Sequence, residues 1–514
     1  MIHIVKTLIS IIFLSCSSLI ITVTFYILVQ FSNQNVDEII YTLANGLKGA
    51  APEVFQSAIK QSIVPFIAVF LLLILPLKNF SKRKYIIQLH FNKKMVGFNV
   101  NPIAWTSQYR ISYGIISFLI TVLLSYQIIG IDDYIKRLSD YTTIYEDYYI
   151  DGRKIAIEFP EQKQNLILLY LESMENTMMD RGSGGGWDYN VIPELTALAE
   201  NHLNFSHTDQ IGGAFPISRT QWTIAGLVST TAGIPLHIPI GGNNYTNYEN
   251  FLAGAYTLGD ILQKEGYQLG FIAGSEAEYG GRKNYFTKHG SYEIYDLNRS
   301  IQEGRMKIDD KVWWGFDDSD LFAWAKEILI DYARQDEPFS FTILTVNTHF
   351  PDGYLEDKAK ASFPTQYENV HAHTSKQVHE FVEWFKSQAF FDQTTLVILG
   401  DHLSMQSDDF YKGKLADNYE RTTYNVFINT KEEPVKTNNR KFTNLDLYPT
   451  ILASLGVKIE GDRLGLGTNL FSEKQTLVEE LGYSYLNREL DKNSLFYNNS
   501  ILQDDYIKML EQGK

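Results

Sequence analysis

The sequence predicts an α/β protein preceded by an N-terminal α-helical transmembrane region. Two patterns carry this. Residues 7–31, 61–77 and 111–131 contain no Asp, Glu, Lys or Arg, and a helix crosses a hydrocarbon core with about 20 apolar residues. Beyond residue 163, short apolar runs alternate with amphipathic segments, as expected of a sheet covered by helices.

The three apolar runs set the topology. The loop between the second and third carries Lys78, Lys82, Arg83, Lys84, Lys93, Lys94 and Arg110 and no acid. The loop after the first carries Asp37, Glu38 and Glu53 against Lys48 and Lys60. The positive-inside rule puts the basic loop in the cytoplasm, so everything after residue 131 lies outside it. The first run is too long for the apolar region of a cleaved signal peptide. Phe13-Leu14-Ser15-Cys16 fits a lipoprotein cleavage site poorly, and two apolar runs would remain in either case. The expected plan is a membrane region over 1–131, a juxtamembrane linker over 132–163, an extracytoplasmic catalytic domain over 164–485, and a polar, loosely attached tail over 486–514.

Composition narrows the function. A chain of 514 residues exceeds one ordinary core. A net charge of −15 argues against nucleic acid as a partner. The one cysteine, Cys16, lies in an apolar run, so the exported part forms no internal disulfide.

Four apolar runs end in chemistry. Leu166 to Leu171 leads into Glu172 and Ser173, and Tyr267 to Ala273 leads into Gly280-Gly281-Arg282. Phe341 to Val346 leads into Asn347-Thr348-His349, and Thr395 to Leu399 leads through Gly400 into Asp401 and His402. Ligands of open α/β sheets bind beyond the carboxyl ends of the strands, so these groups converge on one crevice. Helices are expected over 249–265, 317–334, 374–389 and 446–455, with Gly266 closing the first and Asn444 or Thr443 capping the last.

Each group also has a plainer reading. Glu172 caps a helix, Asp401 and His402 cap a turn, Arg282 is a solvated loop residue, and His349 is a satisfied structural histidine. Adjacent Asp and His after a buried strand nevertheless suit a metal with mixed oxygen and nitrogen ligands. Glycines before Arg282 let backbone approach a ligand closely. His371, His373 and His379 lie in a polar stretch and read as surface residues. The nucleophile falls elsewhere, in the Gly212–Gly226 segment, where a hydroxyl at a helix N-terminus favours anionic chemistry. Thr220, Thr223 and Ser218 are candidates there, and Thr177 competes from the Glu172 segment.

From residue 164 to about 470 the chain resembles the membrane phosphoglycerol transferases of the alkaline phosphatase superfamily, a group that includes the lipoteichoic acid synthases. The likeness rests on Thr223-Ile-Ala-Gly226 with Gly233-Ile-Pro235, Thr348-His-Phe-Pro-Asp-Gly353, Gly400-Asp-His402, and Leu445-Asp-Leu-Tyr-Pro-Thr450 followed by Leu452 and Leu455-Gly456. It implies an alkaline phosphatase-like central sheet flanked by helices. Carried over, the metal carboxylate falls on Glu172, the Asp-His metal pair on Asp401 and His402, and the catalytic threonine on Thr220, counted back without gaps from Gly233 and Pro235. The threonine oxygen also faces the metal. The basic phosphate and glycerol groups fall on Arg282 and His349. Asp317 or Asp318, after Trp313-Trp314-Gly315, matches a segment of open role. Lipoteichoic acid synthases carry a histidine where this chain has Ala273 and a tryptophan where it has Gly280, which favours the polysaccharide-modifying branch. Phe215-Pro-Ile-Ser-Arg219 lacks the C/S-x-P-x-R pattern that formylglycine sulfatases need, so sulfate ester hydrolysis is not expected.

The resemblance implies one divalent metal, Mn²⁺ ahead of Mg²⁺ or Zn²⁺, and transfer of glycerol phosphate from phosphatidylglycerol in the bilayer to a glycan or polysaccharide through a covalent glycerophospho-threonine. Competing functions are a phosphoethanolamine transferase, a polyglycerolphosphate synthase, a phosphodiesterase passing the group to water, and, from another class, an inactive tethered glycan-binding protein.

Overall fold

The computed structural model describes residues 2–30, 52–77, 85–91, 94–100, 106, 108–237, 245, 249, 251–416 and 418–503. The chain divides into two compact units, one built from residues 1–32 and 52–135 and one that includes residues 136–514.

The first unit contains helices Ile2–Gln30, Pro52–Ile74 and Arg110–Ile129. Three segments, Ile4–Leu28, Ile59–Leu77 and Arg110–Ile129, are long and apolar enough to cross a membrane. Small residues let them approach: a Cβ on Gly114 would stand 3.1 Å from the Ser10 Cα. Two hydroxyls bond between helices, Ser18 donating to the Phe66 carbonyl at 2.8 Å and Tyr113 to that of Leu73 at 2.9 Å. Between the second and third helices, Tyr85–Phe91 and Lys94–Val100 pair as an antiparallel hairpin that the charge reading did not foresee. Lys78, Lys82, Arg83, Lys84 and Lys93 of the basic loop lie outside the described residues, as do Phe31 and Asp37, Glu38 and Lys48 of the acidic one.

The second unit is built on a six-stranded sheet: β1 Asn165–Leu171, β2 Gln268–Ala273, β3 Glu293–Tyr295, β4 Phe339–Leu344, β5 Thr394–Gly400 and β6 Asn425–Ile428. The spatial order is β3-β2-β4-β1-β5-β6. All neighbours are parallel except β6, which runs antiparallel to β5. Strand β1 is central and apolar on both faces, as parallel strands covered on both sides must be. Leu166, Leu168 and Tyr170 enter one core with helices Thr223–Ala232, Leu258–Lys264 and Asn444–Ser454. Ile167, Leu169 and Leu171 enter the other with helices Pro193–Asn201, Asp318–Tyr332 and Gln366–Lys386.

The helix expected over 249–265 begins later, at Leu258, because Thr257 and Asp260 form a capping box there. The one expected from 374 begins at Gln366, where Thr365 and Glu368 form another. That earlier start turns His371 inward: it is fully buried, with Nδ1 2.9 Å from the Tyr367 carbonyl, so its reading as a surface residue is corrected. His373 is partly buried and His379 exposed. Thr443 rather than Asn444 caps the last helix, through a box with Asp446.

The described residues of the segments expected to be a linker and a loose tail are packed, and residues 504–514 lie outside the described residues. Ile144 and Tyr145 enter the core, and Ile157–Glu158 pairs with Lys458–Ile459. Helix Tyr483–Asp491 buries Leu486 and Leu490, and Tyr497 and Ile501 follow them into the same core. The tail reading fails because its apolar residues recur at helical spacing, which its polar average conceals.

Candidate metal centre and nucleophile

Strand register assembles the site. Leu171 of β1 pairs with Gly400 of β5, so Glu172 and Asp401 leave the sheet side by side. A Cβ on Gly400 would stand 1.8 Å from the Met174 carbonyl oxygen, so only glycine admits this approach. The loop after β4 closes the third side. Thr345 Oγ accepts from the Glu172 N–H at 3.0 Å, and Thr348 Oγ donates to the Glu172 carbonyl at 2.5 Å.

Glu172, Asp401 and His402 are buried and each offers one donor atom, all within 4.8 Å of one another. His402 Nε2 lies 3.4 Å from Glu172 Oε1 and 3.5 Å from Asp401 Oδ2. Their other atoms are already engaged. The N–H groups of Ser173 and His402 both donate to Asp401 Oδ1 at 2.8 Å. Ser173 Oγ donates to Glu172 Oε1, and His402 Nδ1 faces the Leu403 carbonyl at 2.8 Å. Asp401 Oδ2 and His402 Nε2 remain buried without a hydrogen-bond partner. Orphaned buried polar atoms are costly, and two carboxylates with an imidazole around one point are the donor set of a divalent cation. The residues fit such an ion.

The electrostatics agree. Burial, then Glu172 beside it, pushes the Asp401 carboxyl up to about 8. Burial opposes the charge on His402, but Asp401 and Glu172 outweigh it and raise the imidazole to about 10. Burial likewise opposes ionisation of Glu172, yet His402 holds it below the ordinary carboxylate range. Without a cation, protons supply the positive charge that this cluster requires.

Thr223 opens helix Thr223–Ala232, and its Oγ donates to Glu172 Oε2 at 3.1 Å. The unpaired N–H groups and dipole of that helix end stabilise an alkoxide or phosphoryl oxygen. Gly226 lets the helix lie against the metal loop, since a Cβ there would be 2.2 Å from the Asp401 carbonyl oxygen. Asn444 donates to the same carbonyl at 3.2 Å. The other candidate hydroxyls are bonded elsewhere: Thr220 to the Ile217 carbonyl at 2.9 Å, Ser218 to Asp491 at 2.8 Å, and Thr177 to Glu175. The hydroxyl that faces Glu172 is thus that of Thr223, three residues beyond Thr220, the position the resemblance implied. Thr223 stands at the start of the apolar helical run, a signal present in the sequence.

Arg282 begins the helix that follows Gly280 and Gly281, both at positive φ (64° and 76°). Its Nη2 donates to Ser275 Oγ at 3.0 Å and to the Glu276 carbonyl at 2.8 Å, and Nε donates to the Tyr279 carbonyl at 3.0 Å. Nη1 has no partner among the described residues. Burial lowers the guanidinium's pKa, opposed by Tyr279, Glu172 and Asp401; arginine nonetheless stays charged. His349 directs Nδ1 at the Phe350 carbonyl, 2.8 Å away. Burial lowers its pKa, with Glu172 opposing, so the ring is neutral and Nε2 is an acceptor. Asp318 fixes this loop by accepting from the N–H groups of Val346 (2.8 Å) and Asn347 (3.1 Å), which gives the Asp317–Asp318 segment a positioning role.

Sequence reasoning missed the supports. Ser173, at φ 54°, bridges both carboxylates. Glu175 takes Arg421 on both oxygens at 2.6 and 2.8 Å. Neither has a sequence signal beyond proximity to Glu172.

Residues 164–457 match the family model described as Sulfatase, and residues 2–106 match one described as Phosphoglycerol transferase I, N-terminal domain. The chain is 30% identical over 335 residues to phosphoglycerol transferase I of Shigella flexneri, covering 63% of this chain and 41% of that protein. The chain thus spans about two fifths of the length of such relatives. Among solved structures it is similar to the lipoteichoic acid synthase LtaP from Listeria monocytogenes (TM-score 0.48, 19% identity, 64% of this chain and 81% of that one). It is also similar to the Streptococcus pyogenes phosphoglycerol transferase GacH in complex with sn-glycerol-1-phosphate (TM-score 0.42, 16% identity, 74% and 94%).

Proposed function

Because the chain belongs to the sulfatase family, we propose that it is a membrane-held phosphoglycerol transferase that uses Thr223 to move glycerol phosphate from phosphatidylglycerol to an extracytoplasmic glycan. The observation that carries this is the Thr223 hydroxyl, at a helix N-terminus, bonded to Glu172 of a three-donor cluster. The relatives named phosphoglycerol transferase I support the reaction class. The three candidate spans support a lipid donor, because chain continuity holds the site near the bilayer at high effective concentration.

Glu172, Asp401, His402 and Thr223 Oγ would hold the divalent cation, Mn²⁺ by family resemblance. When bound, that ion supplies the positive charge that lowers the pKa of the Thr223 hydroxyl and neutralises phosphoryl oxygens. Thr223 Oγ bonds to phosphorus as the bond from phosphorus to the diacylglycerol oxygen breaks, and the hydroxyl proton leaves with diacylglycerol. The product is a glycerophospho-threonine. Arg282 Nη1 donates to a phosphoryl oxygen, and His349 Nε2 accepts from a glycerol hydroxyl. A sugar hydroxyl then bonds to phosphorus as the Thr223 Oγ–phosphorus bond breaks, and its proton returns to Thr223. One site serves lipid donor and polymer acceptor in turn.

The test is the full chain in phosphatidylglycerol vesicles with Mn²⁺. Diacylglycerol release and a glycerophosphoryl mass increment on the peptide carrying Thr223 are expected. Release from phosphatidylethanolamine instead, or turnover with no adduct on Thr223, would overturn the assignment.

A further inference from the structure

One rim of the phosphate cradle is aromatic. Val312 and Gly315 exchange two 2.8 Å backbone hydrogen bonds, closing a tight turn with Trp313 and Trp314 at its tip. The turn is clamped to the end of β2: Phe316 N–H donates to the Gly274 carbonyl at 2.9 Å, and a Cβ on Gly315 would stand 1.9 Å from that same oxygen. The next residue, Ser275, is the one that takes Arg282 Nη2. The tryptophan turn and the phosphate arginine therefore share one support.

Trp313 sits at φ 45°. Glycine or asparagine occupies that region cheaply, and a bulky residue there is a costly choice that clusters at functional sites. Its side chain is partly exposed, as is that of Tyr279, while Trp314 between them is buried. Ring centroids lie 5.0 Å apart for Tyr279 and Trp314, 4.9 Å for Trp314 and His349, and 5.9 Å for Trp313 and His349. The Arg282 guanidinium lies 5.9 Å from the centre of the Tyr279 ring.

We propose that Trp313, seated on Trp314, forms an acceptor subsite that stacks a hexopyranose ring of the glycan and presents its hydroxyl to the phosphoryl group. The proposal rests on the transferase reading above and deepens it by naming what selects the acceptor. A pyranose has an apolar C–H face for an aromatic ring and a hydroxyl edge for polar neighbours. The wall adjoins Arg282 and His349, so a stacked ring places its edge beside the group being transferred. A lipid acyl chain has no such edge, and the hydrocarbon of the bilayer already accommodates it.

The experiment uses the full chain in phosphatidylglycerol vesicles with a linear glucohexaose as acceptor. It reads the ratio of glycerol phosphate transferred to sugar against glycerol phosphate released to water. Tryptophan fluorescence reads glucohexaose binding without donor. Trp313→Gly relieves the positive φ, so it is expected to melt no lower than the parent while acceptor affinity and the transfer ratio fall about three- to tenfold. Trp313→Phe keeps an aromatic face and is expected to restore most of both. Absence of glucohexaose binding to the parent, or an unchanged affinity in Trp313→Gly, overturns the subsite; so does a loss that Trp313→Phe fails to restore. Failure of the transferase reading shows separately, as absence of diacylglycerol release in the parent while the binding measurement still decides the subsite.

Discussion

Thr223 reaches across 51 residues of sequence to place its hydroxyl 3.1 Å from Glu172, on the carboxylate oxygen that Ser173 leaves free. This bond distinguishes Thr223 from the neighbouring hydroxyls. Thr223→Ala is expected to reduce diacylglycerol release by about a thousandfold or more. Thr220→Ala, which loses a hydrogen bond to Ile217, is expected to cost about 1 kcal/mol in urea unfolding and to retain most turnover. Equal loss of turnover in the two variants would return the nucleophile assignment to Thr220.

Cation binding should displace protons. Asp401 is held up at about 8 and His402 at about 10 when protons alone balance the cluster. At pH 7 both carry protons that a bound cation must expel, so affinity rises with pH. Calorimetry with Mn²⁺ in buffers of different ionisation enthalpy measures the release, and affinity is expected to strengthen at least tenfold between pH about 6 and about 8. Chelation should lower the melting temperature, because the ion binds the folded state alone. Uptake without proton release contradicts this account.

Gly226 carries a steric demand. Alanine there would put its Cβ 2.2 Å from the Asp401 carbonyl oxygen and push helix Thr223–Ala232 from the Asp401–His402 loop. Gly226→Ala is expected to cost about 1–3 kcal/mol and to lower turnover beyond what the unfolded fraction explains. Denaturant melts and single-turnover rates on the same preparation check both.

Acid should act through Glu368. Burial opposes its charge, but Trp187, Lys414 and Thr365 outweigh burial and hold it at about 2. Its folded pKa lies below its unfolded one, so its contribution is present above pH about 4.5 and is lost as pH falls toward about 2. Melting temperatures of the parent and Glu368→Gln are expected to differ most at neutral pH and to converge in acid.

Asp491 ties the C-terminal helix to the loop before Thr223. Its carboxylate accepts from Ser218 at 2.8 Å and from Arg137 at 2.9 Å, and its carbonyl accepts from Arg219 at 3.0 Å. Asp491→Ala removes the carboxylate that Ser218 and Arg137 donate to, keeps the carbonyl that takes Arg219, and is expected to cost about 1–3 kcal/mol. Hydrogen exchange is expected to quicken in residues 217–222; unchanged exchange there would mean that the loop is held by other contacts.

The strands and the clustering of Glu172, Asp401 and His402 were legible because buried parallel strands are continuous apolar runs, and polar groups follow their carboxyl ends. The threonine that faces Glu172 was harder to read. Thr220 and Thr223 carry the same hydroxyl, and only the onset of the helix at Thr223 separates them. His371 misled because charged neighbours hide the buried stripe that it shares with Tyr367 and Val378. The Tyr85–Val100 hairpin was invisible to a reading of charge alone. The supports at Ser173 and Glu175 depend on contacts between distant segments, which no local pattern records.

Leu490, Tyr497 and Ile501 complete the same core as Tyr145 and Leu236. A chain without these residues would still hold Glu172, Asp401, His402 and Thr223, yet lack the apolar side chains that finish the core beneath helix Thr223–Ala232. Removing residues 486–503 is therefore expected to loosen the core on which helix Thr223–Ala232 stands, although no residue of the cluster is itself touched.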